Sequence, residues 1–122
     1  MMQLIKRKNQ PEFFTGERCY ITEILNDPAN CDLSLARCRV LPGVTTQLHA
    51  LSAVCETYLI EHGTGVMDGG AGRELAVAPG DTVTIAPGQA QRIRNTSEVD
   101  LVFMVICRPR FTPECYVNLE DI

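Results

Sequence analysis

The chain has 122 residues, of which 45% are hydrophobic and 21% are charged, and its formal net charge is −4 at neutral pH. This length and composition predict one soluble globular domain rather than a disordered chain. The acidic balance and the lack of a dense basic run exclude the classes of protein that bind DNA or RNA through a basic surface.

The N-terminal stretch MMQLIKRKNQ is basic, but a polar segment with Pro11 follows where a signal peptide would need apolar residues. No apolar segment approaches the length that spans a membrane. We therefore expect a cytoplasmic protein with no membrane partner, in which the six cysteines remain free thiols.

Short runs rich in β-branched and aromatic residues, separated by turn signals, predict strands along the chain. Residues 19–25 are expected to form an N-terminal edge strand, and alternating runs predict strands at Glu56–Glu61 and Asp81–Ile85. The apolar run Leu101–Cys107 is typical of a strand covered on both faces, by the core and by a second layer or subunit. This run favours a homodimer, and residues 109–122 are expected to form an extended tail.

No stretch of a dozen residues places apolar side chains at helical spacing between caps, and no charged or Gly/Ser-rich linker divides the chain. The sequence therefore predicts an all-β fold with a single domain over residues 1–122. A sandwich, a barrel and a jelly roll all fit the pattern, because periodicity alone does not distinguish them.

Two segments carry more specific information. The first reads Gly43, VTTQL, His49-Ala50-Leu51, SAVC, Glu56, TYLIEH, Gly63, and the second reads Gly80, DTVTI, Ala86-Pro87-Gly88, QA, Gln91, RIR, Asn95. In both the residues and their spacing, these segments resemble the two motifs of the cupin superfamily. The departures are Leu51 and Gln91, which replace histidines, and Ala86, which replaces a proline.

The resemblance implies a small single-domain cupin: an antiparallel β-barrel of the jelly-roll, or double-stranded β-helix, type with a conserved core at about residues 33–108. Typical cupins hold one divalent metal with three histidines and a glutamate. Carried over residue by residue, that set becomes His49, Glu56 and the amide oxygen of Gln91, with one ligand lost at Leu51. The metal would be iron, manganese, nickel or zinc, held more weakly than by the full set.

Each candidate ligand also has an interpretation without metal. His49 would then be a buried, hydrogen-bonded imidazole, and Glu56 a neutral carboxyl or one paired with an arginine. Gln91 would hydrogen-bond a ligand instead of a metal.

Strand alternation adds neighbours to this site. Ile93 shares the face of Gln91, Gln47 shares the parity of His49, and Tyr58 shares the face of Glu56, where its phenol is a candidate catalytic proton donor or a core residue. The predicted pocket therefore comprises Gln47, Leu51, Tyr58 and Ile93.

Two arginines in a strand before the first motif, Arg37 and Arg39, would bind an anion if their face points inward. The alternative is that they are solvated or bridge subunits. The sequence does not decide between these orientations.

Three functions remain open. The first is a metal-dependent enzyme of the dioxygenase, isomerase or cyclase type that acts on a small polar molecule. The second is a metal-free cupin that binds a small-molecule ligand without catalysis. The third is a dimeric interaction protein with a vestigial pocket, and the sequence does not decide whether the protein is an enzyme.

Overall fold

The structure, a computed structural model, describes residues 2–120, and Lys8 only through its backbone. The strands are β1 (Glu12–Phe14), β2 (Tyr20–Leu25), β3 (Ser34–Val40), β4 (His49–Leu51), β5 (Cys55–His62), β6 (Gly65–Asp68), β7 (Glu74–Val77), β8 (Thr82–Ile85), β9 (Arg92–Asn95), β10 (Leu101–Arg108) and β11 (Tyr116–Asn118). Two short 3-10 turns are also present, at Arg7–Asn9 and Pro113–Cys115. The all-β prediction is confirmed, and no helix in the described chain is long and apolar enough to cross a membrane.

The strands form two antiparallel layers around one interior. One layer is a six-stranded sheet in the order β1-β2-β3-β10-β5-β8. The other contains the sheet β7-β6-β9 and the pair β11-β4, joined by single bridges from Thr45 to Arg94 and from His49 to Gln91. Side chains from both layers meet in a common hydrophobic core, as expected for a jelly roll.

Strand β10 lies near the centre of the larger sheet, between β3 and β5. Its inward residues Leu101, Phe103 and Cys107 are buried, and Val102 on the outward face is buried as well. Met104 and Ile106 on the outward face are only half-buried in the single chain. A second subunit on this face therefore stays a prediction.

Two expectations about the ends of the domain need correction. The predicted strand at 19–25 forms as β2, but β1 pairs outside it and is the actual edge of the sheet. The predicted tail at 109–122 contains β11, which pairs with β4 from Leu51 to His49. The segments that contain β1 and β11 are therefore part of the barrel wall.

The six cysteines are free thiols, as predicted. Cys19 and Cys38 belong to the main core, while Cys107 and Cys115 belong to a smaller cluster with Leu51. They act as small apolar residues, which is the usual role of a buried thiol.

Gly63 ends β5 at the point where the chain crosses to the other layer. It has a φ of +76°, and an added Cβ would lie 2.8 Å from the carbonyl oxygen of Asp100. Gly43 has almost the same φ, +78°, but an added Cβ there would meet nothing within 4 Å. The two glycines thus share a left-handed φ and differ in the space around them.

We predict that Gly63→Ala destabilises the protein more than Gly43→Ala does. Both variants carry the cost of a left-handed backbone, about 1–2 kcal/mol, and Gly63→Ala adds an overpacking cost of roughly 1–3 kcal/mol. Urea denaturation of both variants measures the difference in the free energy of unfolding. If both variants lose the same free energy of unfolding, the backbone around Asp100 can shift to accept the added methyl group at no cost.

Candidate functional site

The three residues predicted as metal ligands come together inside the barrel. His49 lies on β4 and exchanges two backbone hydrogen bonds with Gln91, which precedes β9. Glu56 approaches from β5 in the opposite layer. All three side chains are buried, with exposed fractions between 3% and 6%. The sequence spacing therefore identified a real cluster of buried polar groups.

The side-chain amide of Gln91 is the centre of this cluster. Its NH2 group contacts His49 Nε2 at 3.0 Å and donates a short hydrogen bond to Glu56 Oε1. Its oxygen accepts a hydrogen bond of 2.9 Å from the hydroxyl of Tyr58. The amide thus uses both hydrogens and its oxygen on three different side chains.

The imidazole of His49 determines how this amide is oriented. His49 Nδ1 lies 2.8 Å from the carbonyl oxygen of Gln47, an acceptor, so Nδ1 carries the ring hydrogen. Nε2 is then a lone-pair acceptor and requires a donor opposite it. The NH2 group of Gln91 supplies that donor, whereas the reversed amide would place an oxygen against the lone pair.

These residues do not fit a divalent metal in this arrangement. A metal would need lone pairs of His49, Glu56 and Gln91 to converge on one point. The lone pairs of His49 and Glu56 do converge, but the NH2 group of Gln91, a hydrogen-bond donor, occupies the point where they meet. Leu51 lines the cavity and adds no ligand. Within residues 2–120, no group of three or more His, Cys, Asp or Glu side chains converges as a metal site.

A cavity of about 190 Å³ lies beside the cluster, between the two layers. Its walls are mainly apolar and aromatic, and its polar groups are those expected of a small-molecule site. The lining residues are Phe13, Thr15, Glu17, Cys19, Ile21, Glu23, Ser34, Ala36, Cys38, Thr46, His49, Leu51, Glu56, Tyr58, Phe103, Val105, Cys107, Phe111 and Tyr116.

Of the four predicted pocket residues, Leu51 and Tyr58 line this cavity, and Gln47 and Ile93 do not. Ile93 shares the face of Gln91 but is fully buried, because it pairs with Met67 inside the closed core. The side chain of Gln47 does not reach the cavity, and its amide oxygen accepts a hydrogen bond of 2.5 Å from the hydroxyl of Tyr116.

Tyr58 was also predicted as a catalytic proton donor. Its hydroxyl hydrogen points at the Gln91 amide oxygen, and its ring stacks on Phe103 with the ring centres 4.4 Å apart. The phenol therefore orients Gln91 and is not free to donate into the cavity.

Arg37 and Arg39 are absent from the cavity wall, because Ala36 and Cys38 take the inward positions of β3. Arg39 pairs on the outer face with Glu12 and Asp100. An anion-binding role inside the barrel is therefore wrong for these two arginines.

The cavity residues that the sequence reasoning missed include Glu17, Glu23 and Tyr116. The ring of Tyr116 stacks on His49, with centres 4.8 Å apart and planes at 16°. Glu17 lies in the turn between β1 and β2, where its backbone carbonyl accepts a hydrogen bond from Gln47. A glutamate in a turn and a tyrosine near a chain end give no local signal of an inward position.

Burial controls the charge of the site. It raises the pKa of Glu56 to about 8, an effect that the charge of Glu17 strengthens and the hydrogen bond from Gln91 reduces. Burial also raises the pKa of Glu17 to about 7, with Tyr116 opposing the shift. The pKa of His49 is lowered by burial despite its hydrogen bond to Gln47. At neutral pH the site therefore favours a neutral imidazole and a protonated Glu56.

Comparison with known proteins adds the family and the fold. A family model described as "Cupin domain" matches residues 36–107. No curated protein matches the sequence significantly.

Solved structures match over nearly the whole chain. The Streptomyces nucleoside dehydratase Pac13 is 15% identical, with 100% of this chain and 94% of that chain covered and a TM-score of 0.81. The polyketide cyclase RemF from Streptomyces resistomycificus is 18% identical, with coverages of 100% and 88% and a TM-score of 0.80. An uncharacterised double-stranded β-helix protein from Klebsiella pneumoniae is 16% identical, with coverages of 99% and 100% and a TM-score of 0.78. At these identities the likeness confirms the predicted jelly-roll fold and nothing finer.

We predict that Glu17 makes the protein less stable as the pH rises. Its pKa is raised from 4.5 to about 7 on folding, so its contribution is fully present below pH 4.5 and is lost as the pH rises towards 7. The loss is about 3 kcal/mol at 1.36 kcal/mol per pKa unit. Glu56 acts with the same sign over a range that extends to about pH 8.

Urea denaturation at about pH 5 and pH 8 measures this linkage. Glu17→Gln should remove most of its share of the pH dependence, because an amide does not ionise. Glu74→Gln, at an exposed position of β7, is the matched control and should behave as the wild type. A pH dependence unchanged in Glu17→Gln would contradict the prediction.

Proposed function

This chain belongs to the cupin domain family, and from that premise we propose that it is a metal-independent enzyme that transfers protons to and from a small molecule in the cavity. The observation that carries the proposal is the NH2 group of Gln91 between His49 and Glu56, where a metal would otherwise bind. The Gln91 amide is satisfied by hydrogen bonds, and the carboxyls of the site are left for acid–base chemistry.

Glu56 is the proposed general acid. Its Oε1 accepts the hydrogen bond from Gln91, so the proton of the neutral carboxyl is carried by Oε2. Oε2 has no hydrogen-bond partner within residues 2–120, and Glu56 lines the cavity. A carboxyl whose pKa is about 8 is mostly protonated at neutral pH, which suits it to donate a proton to a substrate.

Glu17 is the proposed general base. It lines the same cavity, and with a pKa of about 7 it is ionised about half of the time at neutral pH. The two carboxyls thus occupy environments that favour opposite roles, and each is close enough to neutrality to exchange its proton during turnover.

The reaction that suits this pair is the elimination of water, or a cyclisation that includes such a step. Glu56 gives its proton to the departing hydroxyl as the C–O bond breaks, and water leaves. Glu17 takes a proton from the adjacent carbon, and the C–H electron pair becomes the new double bond. Exchange with solvent then removes the proton from Glu17 and returns one to Glu56, so that the enzyme is restored.

The other polar residues hold Glu56 in place. Gln91 fixes its orientation, His49 and Tyr58 fix Gln91, and Gln47 fixes the tautomer of His49. Because the groups are buried and already paired, they need little rearrangement when charge develops on the substrate.

The size of the cavity limits the substrate. An engineered cavity of about 150 Å³ holds a benzene molecule, so about 190 Å³ suits a molecule with one ring and a few substituents. The fold supports the same reaction class, since the neighbours of similar shape include a nucleoside dehydratase and a polyketide cyclase.

A metal-dependent enzyme is the competing function, because cupins often bind metals. One observation favours it: the tautomer of His49 presents the Nε2 lone pair to the cluster, as a metal ligand does. The two functions require different roles of Gln91, which keeps a metal out in one and binds it in the other. The metal content of the purified protein distinguishes them.

We predict that the wild-type protein, produced in medium with iron, manganese, nickel and zinc, contains far less than one metal per chain by plasma mass spectrometry. Gln91→His should raise the content towards one per chain, because an imidazole lone pair replaces the NH2 donor. Gln91→Met, of similar length, is the matched control and should stay low. Stoichiometric metal in the wild type, lost in His49→Ala, would instead establish the metal-dependent enzyme.

The second test is turnover. Chelator-treated protein is assayed against a panel of small cyclic β-hydroxy ketones, and the conjugated product is followed by its ultraviolet absorbance. We expect Glu56→Gln and Glu17→Gln each to lower kcat roughly 100- to 10,000-fold, and Glu74→Gln to leave it unchanged. The proposed function is overturned if turnover requires added metal or survives in both site variants.

A further inference from the structure

The cavity carries acidic side chains and lacks basic ones. Glu17, Glu23 and Glu56 line it, and no lysine or arginine side chain that the structure describes does, although the chain contains 11 of these basic residues. The alternation of β3 explains part of this separation, since Arg39 is held on the outer face by Glu12 and Asp100. A negatively charged ligand would find no partner here and would be repelled.

The walls around these carboxyls are aromatic. Phe13, Tyr58, Phe103, Phe111 and Tyr116 all line the cavity. Aromatic faces attract cations through their quadrupoles, most strongly where water is excluded. Carboxylates and aromatic rings together form the surroundings in which proteins bind ammonium groups.

Glu23 differs from the other two carboxyls because it has no partner of its own. Glu56 is bonded to Gln91, and Glu17 lies beside Tyr116. Glu23 makes no hydrogen bond or ion pair within the described part of the chain and is only half-buried. Glu23 is therefore the carboxylate that can pair with a positively charged group of a ligand.

Glu23 is also well separated from the proposed general acid. It lies on β2, and strands β3 and β10 stand between it and β5, which carries Glu56. Three strand spacings amount to about 14 Å along the sheet between the two backbones. A ligand that contacts both carboxyls must therefore extend across the cavity.

A second observation indicates where the other end of a ligand lies. Glu56 is 6% exposed, yet its Oε2 has no hydrogen-bond partner among the described residues and faces the cavity. Among the described residues, the buried side-chain oxygen without a partner is Thr22 Oγ1, so Glu56 Oε2 is open to the cavity, where a bound molecule or water can hydrogen-bond to it. The cavity thus offers a polar group near each end, with an apolar and aromatic stretch between them.

We infer that the molecule bound in this cavity is a ring-sized amine, whose positively charged nitrogen is held by Glu23 while its other end reaches Glu56. This inference rests on the proposed function, because it names the class of substrate for that site. Selection of an amine over an acid follows from the sign of the lining charges, and selection over a neutral molecule follows from Glu23.

The test uses three probes of one size and different charge: phenethylamine, phenethyl alcohol and phenylacetate. Calorimetric titration of the full-length wild-type protein at neutral pH should show the amine bound at least about tenfold more tightly than the alcohol. Phenylacetate should give no binding heat. Raising the salt concentration should weaken amine binding and leave alcohol binding unchanged.

Variants assign the charge recognition to Glu23. Glu23→Gln should remove the preference for the amine, Glu23→Asp should keep part of it, and the exposed control Glu74→Gln should keep all of it. Circular dichroism and thermal unfolding confirm that each variant is folded. An amine bound no more tightly than the alcohol, or a preference that survives in Glu23→Gln, would overturn the inference.

Failure of this inference is distinguishable from failure of the proposed function. Metal-independent, Glu56-dependent turnover of neutral hydroxy ketones without a preference for amines would overturn the ligand class alone. A preference for amines that depends on Glu23, with no turnover in the chelator-treated protein, would overturn the proposed enzyme and support the ligand class.

Discussion

The amide of Gln91 is the constraint on which the interior of this protein depends. Its two hydrogens and its oxygen are committed to His49, Glu56 and Tyr58, which come from both layers of the barrel. A buried polar group that loses its partner costs about 1–3 kcal/mol, so the members of this network support one another. The network also fixes properties that atom positions alone would not: the tautomer of His49, the direction of the Tyr58 hydroxyl, and the oxygen of Glu56 that can carry a proton.

Strand alternation determines which charges share the interior with this network. Inward positions of β2, β3 and β5 carry glutamate, alanine, cysteine and tyrosine, whereas the arginines of β3 occupy outward positions. Among the described side chains, no lysine or arginine lines the cavity to neutralise its carboxyls, and burial acts on Glu17 and Glu56 with little opposition. Their raised pKa values follow from the fold itself, and they give the site groups that exchange protons near neutral pH.

Much of the fold was predictable, because period-two alternation and regular turn signals reflect local physics. The meeting of His49, Glu56 and Gln91 was also predictable, from motif spacing. The chemistry was not, because the orientation of one amide depends on a backbone carbonyl at Gln47 and a hydroxyl at Tyr58. Glu17 and Tyr116 were missed for a related reason. Hydrogen bonds to distant parts of the chain place them at the cavity, and the residues next to them in sequence do not indicate those bonds.

The family match covers residues 36–107, whereas Phe13, Glu17, Glu23, Phe111 and Tyr116 lie outside it. One part of the cavity thus belongs to the shared barrel, and another part belongs to the flanking segments that pair onto it. Arg18 and Glu120, which form an ion pair of 2.5 Å, hold these two flanks together. The division has an evolutionary consequence. Substitutions in the flanks can change what the cavity accepts while the hydrogen-bonded centre stays intact, so the ligand preference can diverge among such proteins faster than the structure of that centre.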